Sequence, residues 1–222
     1  MIITFDLFSA LTDSRRGGSA GFAVLARERG WDLSGEQLYD EWDRHNKEAQ
    51  RLVDTSGQWV SFAAISRNAL AAAYAALGLT ADAEADIATI QAGVGDWPLW
   101  PDVAEGLPAV AQHARIGILS NVDDALARST QAYRLVDPEL VLSSERLGAY
   151  KPDPAIYQRA RELAGDGMVH VAASARDVRG ALEAGIPTVR IARPGHTVDP
   201  AGPTPTAVVQ TVAEVPAAIG RL

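Results

Sequence analysis

Met1-Ile2-Ile3-Thr4-Phe5-Asp6-Leu7-Phe8-Ser9-Ala10-Leu11-Thr12 is the stretch whose reading decides the fold. A short apolar run that stops on a carboxylate has the pattern of a buried strand delivering Asp6 to its carboxyl end. In open parallel α/β sheets, ligands bind outside the carboxyl ends of the strands. A carboxylate placed there can act as a nucleophile, replacing one difficult displacement by two easier steps through a covalent ester. An aspartate at that position also suits a cap on the turn that follows the strand. These twelve residues leave both roles open.

Working outward, the pattern from Trp97 alternates strand and helix. A helix is expected over 103–113, a strand over 115–119 ending on Ser120-Asn121, and a helix over 124–135. A strand over 140–142 follows, then a helix whose N-cap is Asp153 with Pro154 at its first position and a stripe of Ile156, Tyr157, Ala160 and Leu163. Strand 168–172, helix 176–184, strand 187–191, a Pro/Gly-rich loop 193–205, an edge strand 206–209 and a terminal helix 215–219 complete the run. Repeated strand–helix units imply an α/β fold, a Rossmann-like parallel sheet with helices on both faces. In such a sheet Asp6, Ser120, Lys151 and Asp177 all fall at or just beyond strand ends. Each has a plainer role: Ser120 with Asp123 and Ser174 with Asp177 fit helix capping, and a lone Lys in a Pro-rich loop is ordinarily a solvated charge. Their joint placement at successive strand ends is what argues for a site.

Between these halves the periodicity is helical. Asp13 to Gly18 reads as a polar, glycine-bearing hinge, followed by a short helix over 19–29 ended by Gly30. Ser34 with Gln37 forms a capping box for a second helix, whose stripe is Leu38, Trp42, His45, Ala49 and Leu52. A third helix is expected over 58–77 and a fourth after Thr80, with Gly93-Val94-Gly95 as a second hinge. The expected organisation is therefore a core of residues 1–12 and 97–222 carrying an inserted helical cap, 13–96, that acts as a lid. His45, His113 and His170 read as structural histidines.

The formal charge of −8 argues against a general phosphate-backbone binder, so no nucleic-acid partner is expected. The absence of cysteine excludes disulfides, thiolate metal sites and a Cys nucleophile. No apolar run reaches membrane-spanning length and no basic segment precedes the first apolar run, so a cytoplasmic protein without a membrane partner is expected.

With these motifs in view, the chain resembles the haloacid dehalogenase superfamily over essentially its whole length. The motifs are Phe5-Asp6-Leu7-Phe8-Ser9-Ala10-Leu11, Leu119-Ser120-Asn121, Lys151-Pro152-Asp153-Pro154, and the loop 172–176 leading into Asp177-Val178-Arg179-Gly180-Ala181 with Ala184-Gly185 beyond it. The resemblance implies Asp6 as nucleophile, Ser120 and Lys151 as its partners, and Asp177 holding Lys151 or positioning water. Phosphatases of the superfamily carry a second Asp where this chain has Phe8, and a Mg2+-binding Asp where it has Ala173. The metal-independent 2-haloacid dehalogenase branch has an aromatic at the first of these positions.

That branch therefore resembles the chain more closely, and it implies no cofactor and a small, anionic, carboxylated substrate. Phe8, Asn121, Ser174 and a cap-helix arginine, Arg44, would line the substrate. The branch also carries a Thr where this chain has Ala10, and Ser and Asn where it has Ala172 and Ser174. A phosphatase with a modified Mg2+ site and a degenerate binding protein stay open as alternatives, as does a homodimer.

Overall fold

The computed structural model describes residues 1–56 and 59–220. Strand β1 (Ile2–Phe5) runs into one wide turn, Leu7–Leu11, closed by the Thr12 amide donating to the Leu7 carbonyl at 2.9 Å. This i→i+5 closure is a single π-type turn. Helices α1 (Ser14–Arg29), α2 (Gly35–Ser56), α3 (Phe62–Ala76) and α4 (Ala83–Ala92) follow. The chain then runs through α5 (Val103–Ala111), β2 (Arg115–Ser120), α6 (Asp124–Ser129), β3 (Val141–Ser143), α7 (Ser144–Leu147) and α8 (Pro154–Ala164). It ends with β4 (Met168–Ala172), α9 (Ala175–Glu183), β5 (Thr188–Ile191), β6 (Ala207–Val209) and α10 (Val215–Ile219). Two units result, Met1–Thr12 with Leu99–Leu222, and Asp13–Pro98.

In the first unit six strands form one sheet in the order β3-β2-β1-β4-β5-β6, with every pairing parallel. β1 lies between β2 and β4, where the strand order reverses, so its carboxyl end opens at the position such sheets use for ligands. The strand period of two divides the core between two faces. Ile3, Phe5, Ile116, Ile118, Val169 and Val171 pack on one side with Leu107 of α5 and Val215 of α10. Leu119, Leu142 and Met168 face the other side, against Ile156 and Tyr157 of α8 and Ala181 of α9. Each fully buried side chain of this size contributes roughly 1.5–3 kcal/mol, so burial drives both faces. The second face is interrupted by a buried polar row in register across three strands, Thr4, His170 and Thr188. Such groups persist in a core only with hydrogen-bond partners.

The helical unit departs from its sequence reading in three places. Asp13 to Gly18 is not a hinge: Asp13 caps α1, accepting from the Arg16 amide at 3.2 Å, and Gly17 and Gly18 are buried within that helix. A Cβ on Gly17 would lie 2.4 Å from Trp97 Cγ, and one on Gly18 2.5 Å from the Tyr39 ring. The glycines serve close packing rather than bending. The Gly93–Asp96 segment is likewise a 3₁₀ turn with Val94 buried, not an open hinge.

The capping box of Ser34 and Gln37 forms as expected, through reciprocal bonds of 2.8 and 3.2 Å. The buried side of α2 follows i+4 spacing through Leu38, Trp42, Asn46 and Gln50, so Leu52 falls on the exposed side. The third helix starts at Phe62 because Ser61 caps it, accepting from the Ala64 amide at 3.3 Å. Trp59 precedes that helix, and Gln58 lies outside the described residues.

In the α/β unit the expected helix 124–135 stops at Ser129. Thr130 is extended, and its hydroxyl accepts from the Tyr133 amide at 3.3 Å, starting a separate 3₁₀ turn. A threonine that offers its own acceptor competes with helix continuation. Leu163 is exposed, so the buried stripe of α8 ends at Ala160. Among the described residues no helix is long and apolar enough to cross a membrane.

Candidate active site

The strand register gathers four polar side chains at the carboxyl ends of the sheet. Asp6 stands one residue beyond β1, its amide donating to the Val171 carbonyl at 2.9 Å and prolonging the β1–β4 ladder. Asp6 is the turn cap the sequence offered, and the same carboxylate stands at the strand end where a nucleophile is expected. Its Oδ2 caps the π turn by accepting from the Ser9 amide at 2.9 Å and from the Ser9 hydroxyl. Its Oδ1 accepts from Lys151 Nζ at 2.7 Å and from Ser120 Oγ at 3.3 Å. Ser120 thus serves Asp6, while Asp123 is the N-cap residue of α6.

Lys151 is 3% exposed, and all three of its ammonium donors are used. They reach Asp6 Oδ1, Asp177 Oδ2 at 2.5 Å and the Leu119 carbonyl at 2.8 Å. Its backbone is held by Asn121: the Lys151 amide donates to Asn121 Oδ1 at 2.6 Å, and Asn121 Nδ2 donates to the Lys151 carbonyl at 3.0 Å. A flexible side chain is thereby fixed at its root and at its tip. Asp177, in the first turn of α9, also accepts from the Tyr157 hydroxyl at 2.8 Å on Oδ1, and its Oδ2 lies 3.1 Å from His170 Nε2. Ser174 caps α9, its hydroxyl accepting from the Asp177 amide at 3.4 Å.

The electrostatics follow from this arrangement. Burial alone would raise the pKa of Asp6, but the charge of Lys151 and hydrogen bonds from Lys151 and Ser9 outweigh both burial and repulsion by Asp177, holding it below its ordinary value. Asp177 is likewise held well below the carboxylate range, with Lys151 and His170 overcoming burial. For Lys151, burial pulls downward and the two carboxylates pull harder upward. Burial and the neighbouring Asp177 push the Tyr157 phenol well up, so it stays a donor. The result is a buried Asp⁻–Lys⁺–Asp⁻ row in which each charge favours the ionised form of its neighbour.

Of the other residues singled out in the sequence, Phe8 is partly buried against the core of the α/β unit. Arg44 lies on α2 in the helical unit, where its exposed guanidinium pairs with Glu41 on the same helix and lies against His45. Sequence reasoning missed Ser9, Tyr157 and His170. Ser9 sits one residue before Ala10, so the turn still brings a hydroxyl to Asp6. Tyr157 and His170 gave no signal beyond membership of an apolar stripe and an apolar strand.

The turn carrying Ser9 is braced from behind within the α/β unit. Trp100 Nε1 donates to the Ser9 carbonyl at 3.0 Å, and Arg193 Nε and Nη2 donate to the Ala10 carbonyl at 3.1 and 2.9 Å. The donor set does not suit Mg2+, which demands near-octahedral oxygen ligation. The two available carboxylates are already joined through Lys151, and Phe8 and Ala173 offer no oxygen from their side chains. Among the described residues no group of three His, Asp or Glu side chains is arranged to hold a metal.

Comparison with known proteins places this geometry in context. The (S)-2-haloacid dehalogenase of Xanthobacter autotrophicus is 26% identical over 195 residues, covering 86% of this chain and 74% of that protein. A crystal structure of an L-2-haloacid dehalogenase superposes with a TM-score of 0.83 at 27% identity, covering 100% of this chain and 99% of the other. The structure of the X. autotrophicus L-2-haloacid dehalogenase with chloropropionic acid covalently bound superposes with a TM-score of 0.84. At 22% identity, over 99% of this chain and 98% of that one, it attests the shared fold. A family model of haloacid dehalogenase-like hydrolases matches residues 1–185. The strand-end carboxylate, the lysine bridging it to a second carboxylate, and the inserted helices are thus set in a chain that belongs to the haloacid dehalogenase-like hydrolases.

Proposed function

We propose that this hydrolase cleaves a carbon–halogen bond in a small 2-haloacid without a metal, using Asp6 as nucleophile. The observation that carries the reading is the row Asp6–Lys151–Asp177. It keeps Asp6 ionised at neutral pH through a fixed ammonium, and the same ammonium occupies the second carboxylate, Asp177.

In the first step a carboxylate oxygen of Asp6 attacks the carbon bearing the halide. A C–O bond forms, the carbon–halogen bond breaks, and the halide leaves with the bonding pair. In the second step water attacks the carbonyl carbon of the aspartyl ester, returning the Asp6 carboxylate and releasing the 2-hydroxy acid and one proton. Ser120 and Lys151 hold and orient Asp6, and Ser9 holds its other oxygen. Asn121 fixes the Lys151 backbone, and Asp177 anchors the ammonium. Phe8 takes the place where a phosphatase would need a proton-transferring carboxylate, and it cannot move a proton. The covalently bound chloropropionic acid in the X. autotrophicus relative is consistent with the same chemistry.

The test is isotopic. Multiple turnovers in H2-18O should place heavy oxygen in the peptide containing Asp6 and leave those containing Asp13 and Asp177 unlabelled. Label found only in the product, with Asp6 unlabelled during turnover, would refute the covalent route. A panel of 2-haloacids and phosphate esters, each with Mg2+ and with chelator, separates dehalogenase from phosphatase. No turnover of any member would favour a binding protein.

A further inference from the structure

We infer that His170 is a positioning residue that, through its Nε2–H, fixes the Asp177 carboxylate and through it the Lys151 ammonium against Asp6; this rests on the proposed role of Asp6.

His170 lies in the middle of β4, fully buried, in register with Thr4 on β1 and Thr188 on β5. Its ring spans two polar neighbours: Nε2 is 3.1 Å from Asp177 Oδ2 and Nδ1 is 3.0 Å from Thr4 Oγ1. A Tyr157 ring stands edge-on to it, centroid to centroid 6.3 Å. An ionised carboxylate only accepts hydrogen bonds, so each group around Asp177 must approach it as a donor. Lys151 and Tyr157 do so, and His170 can do so only with its proton on Nε2. On the far side of the ring Nδ1 meets Thr4 Oγ1, whose hydroxyl also lies 3.4 Å from the Val169 carbonyl.

The consequence is mechanical. Asp177 receives Tyr157 on one oxygen, and Lys151 and His170 on the other. The two side chains on the strand end beside it, Ala172 and Ala173, carry no polar atom. Without His170 the shared Oδ2 would be held by Lys151 alone, and the carboxylate would swing with the ammonium it is meant to anchor. Lys151 Nζ is committed to three acceptors, so a loosened Asp177 also loosens the bond to Asp6 Oδ1. His170 lies behind Asp177, within the sheet core. Its loss should therefore slow the chemical step and spare substrate binding.

The experiment compares His170→Phe, which keeps a planar ring but has no donor, with His170→Gln, whose terminal amide can donate from near the Nε2 position. His170→Phe should lower kcat roughly tenfold with KM unchanged, and His170→Gln should recover to within about threefold of the parent, in keeping with one hydrogen bond to a charged group. In parallel, 15N spectra of the parent protein, assigned by the signal missing in His170→Gln, should show the ring proton on Nε2. A ring protonated on Nδ1 alone would overturn the inference, as would a loss expressed in KM or a Gln variant no better than Phe. If no substrate turns over, the proposed function fails, and the ring spectrum still decides the inference. The same spectrum decides it if His170→Phe does not fold.

Discussion

Lys151 Nζ and Asp6 Oδ1 lie 2.7 Å apart with both side chains almost wholly buried, although 145 residues separate them in the chain. The pair is one half of a row, since the same ammonium reaches Asp177 Oδ2. Removing two or three charges from water is costly, and the attraction between them offsets the cost only when every lone pair and proton finds a partner. Here they do: Ser9 and Ser120 complete Asp6, Leu119 completes Lys151, and Tyr157 and His170 complete Asp177.

Replacing Lys151 by Met should therefore hurt twice. Two buried carboxylates are left facing one another, and one of them must take up a proton near neutrality. Breaking such a pair costs about 3–5 kcal/mol, so the urea midpoint should fall clearly. Turnover should drop by about 10²–10³, the scale seen when one fixed charge-stabilising group is lost. A folded Lys151→Met protein with parental kcat would contradict the role assigned to this lysine.

The pH dependence of stability follows from the directions of the shifts. Asp6 and Asp177 are depressed when folded, so the unfolded chain binds more protons as pH falls through the ordinary carboxylate range. Their contribution is fully present above about pH 4 and is lost as pH drops toward their folded values. Lys151 is raised, so its contribution holds below about pH 10.4 and is lost as pH climbs through its folded value. Urea midpoints should hold level from pH 7 to about 4 and fall below it, and Asp177→Asn should flatten that fall. An unchanged slope in the variant would show that the row is not what links stability to pH.

Much of this site was legible because its signals are local. An apolar run ending on Asp6, another ending on Ser120, and Asp153-Pro154 behind Lys151 each announce themselves within a few residues. What was not legible depends on which side of an element meets which neighbour. His170 and Tyr157 read as strand and stripe residues, and only the β1–β4 register and the packing of α8 turn them toward Asp177. Gly17 and Gly18 misled for a related reason. A glycine pair in a polar stretch looks like a hinge until Trp97 and Tyr39, distant in sequence, are found against it.

Magnesium should not bind tightly to Asp6. Its carboxylate is engaged by Lys151, Ser120 and Ser9, and a cation would have to displace the ammonium while finding oxygens that Phe8 and Ala173 lack. Titration calorimetry is expected to show no micromolar Mg2+ binding, and chelator should leave turnover unchanged. Micromolar affinity that disappears in Asp6→Asn would reverse the argument and favour phosphoryl transfer.

Gly180 offers a way to disturb the row without touching a charged group. It lies on α9 one turn beyond Asp177, and a Cβ there would come within 2.8 Å of both Pro152 Cβ and the Tyr157 hydroxyl oxygen. Gly180→Ala gains up to about 1 kcal/mol of helix propensity. Against that stands overpacking of a filled site, typically about 1–3 kcal/mol. Tyr157 is fully buried and cannot swing into solvent, so overpacking should win and the melting temperature should fall. The larger effect should be on kcat, because the displaced hydroxyl is the one that donates to Asp177 Oδ1, and Pro152 adjoins Lys151 in the chain. Gly93→Ala is the control: its backbone is in the right-handed helical region and nothing lies within 4 Å of the added methyl, so stability should be equal or slightly higher. Thermal melts and steady-state kinetics on both variants decide the matter. Parental melting and kcat in Gly180→Ala would mean that the packing around Tyr157 yields without cost, and that its hydroxyl does not need to be held where it is found.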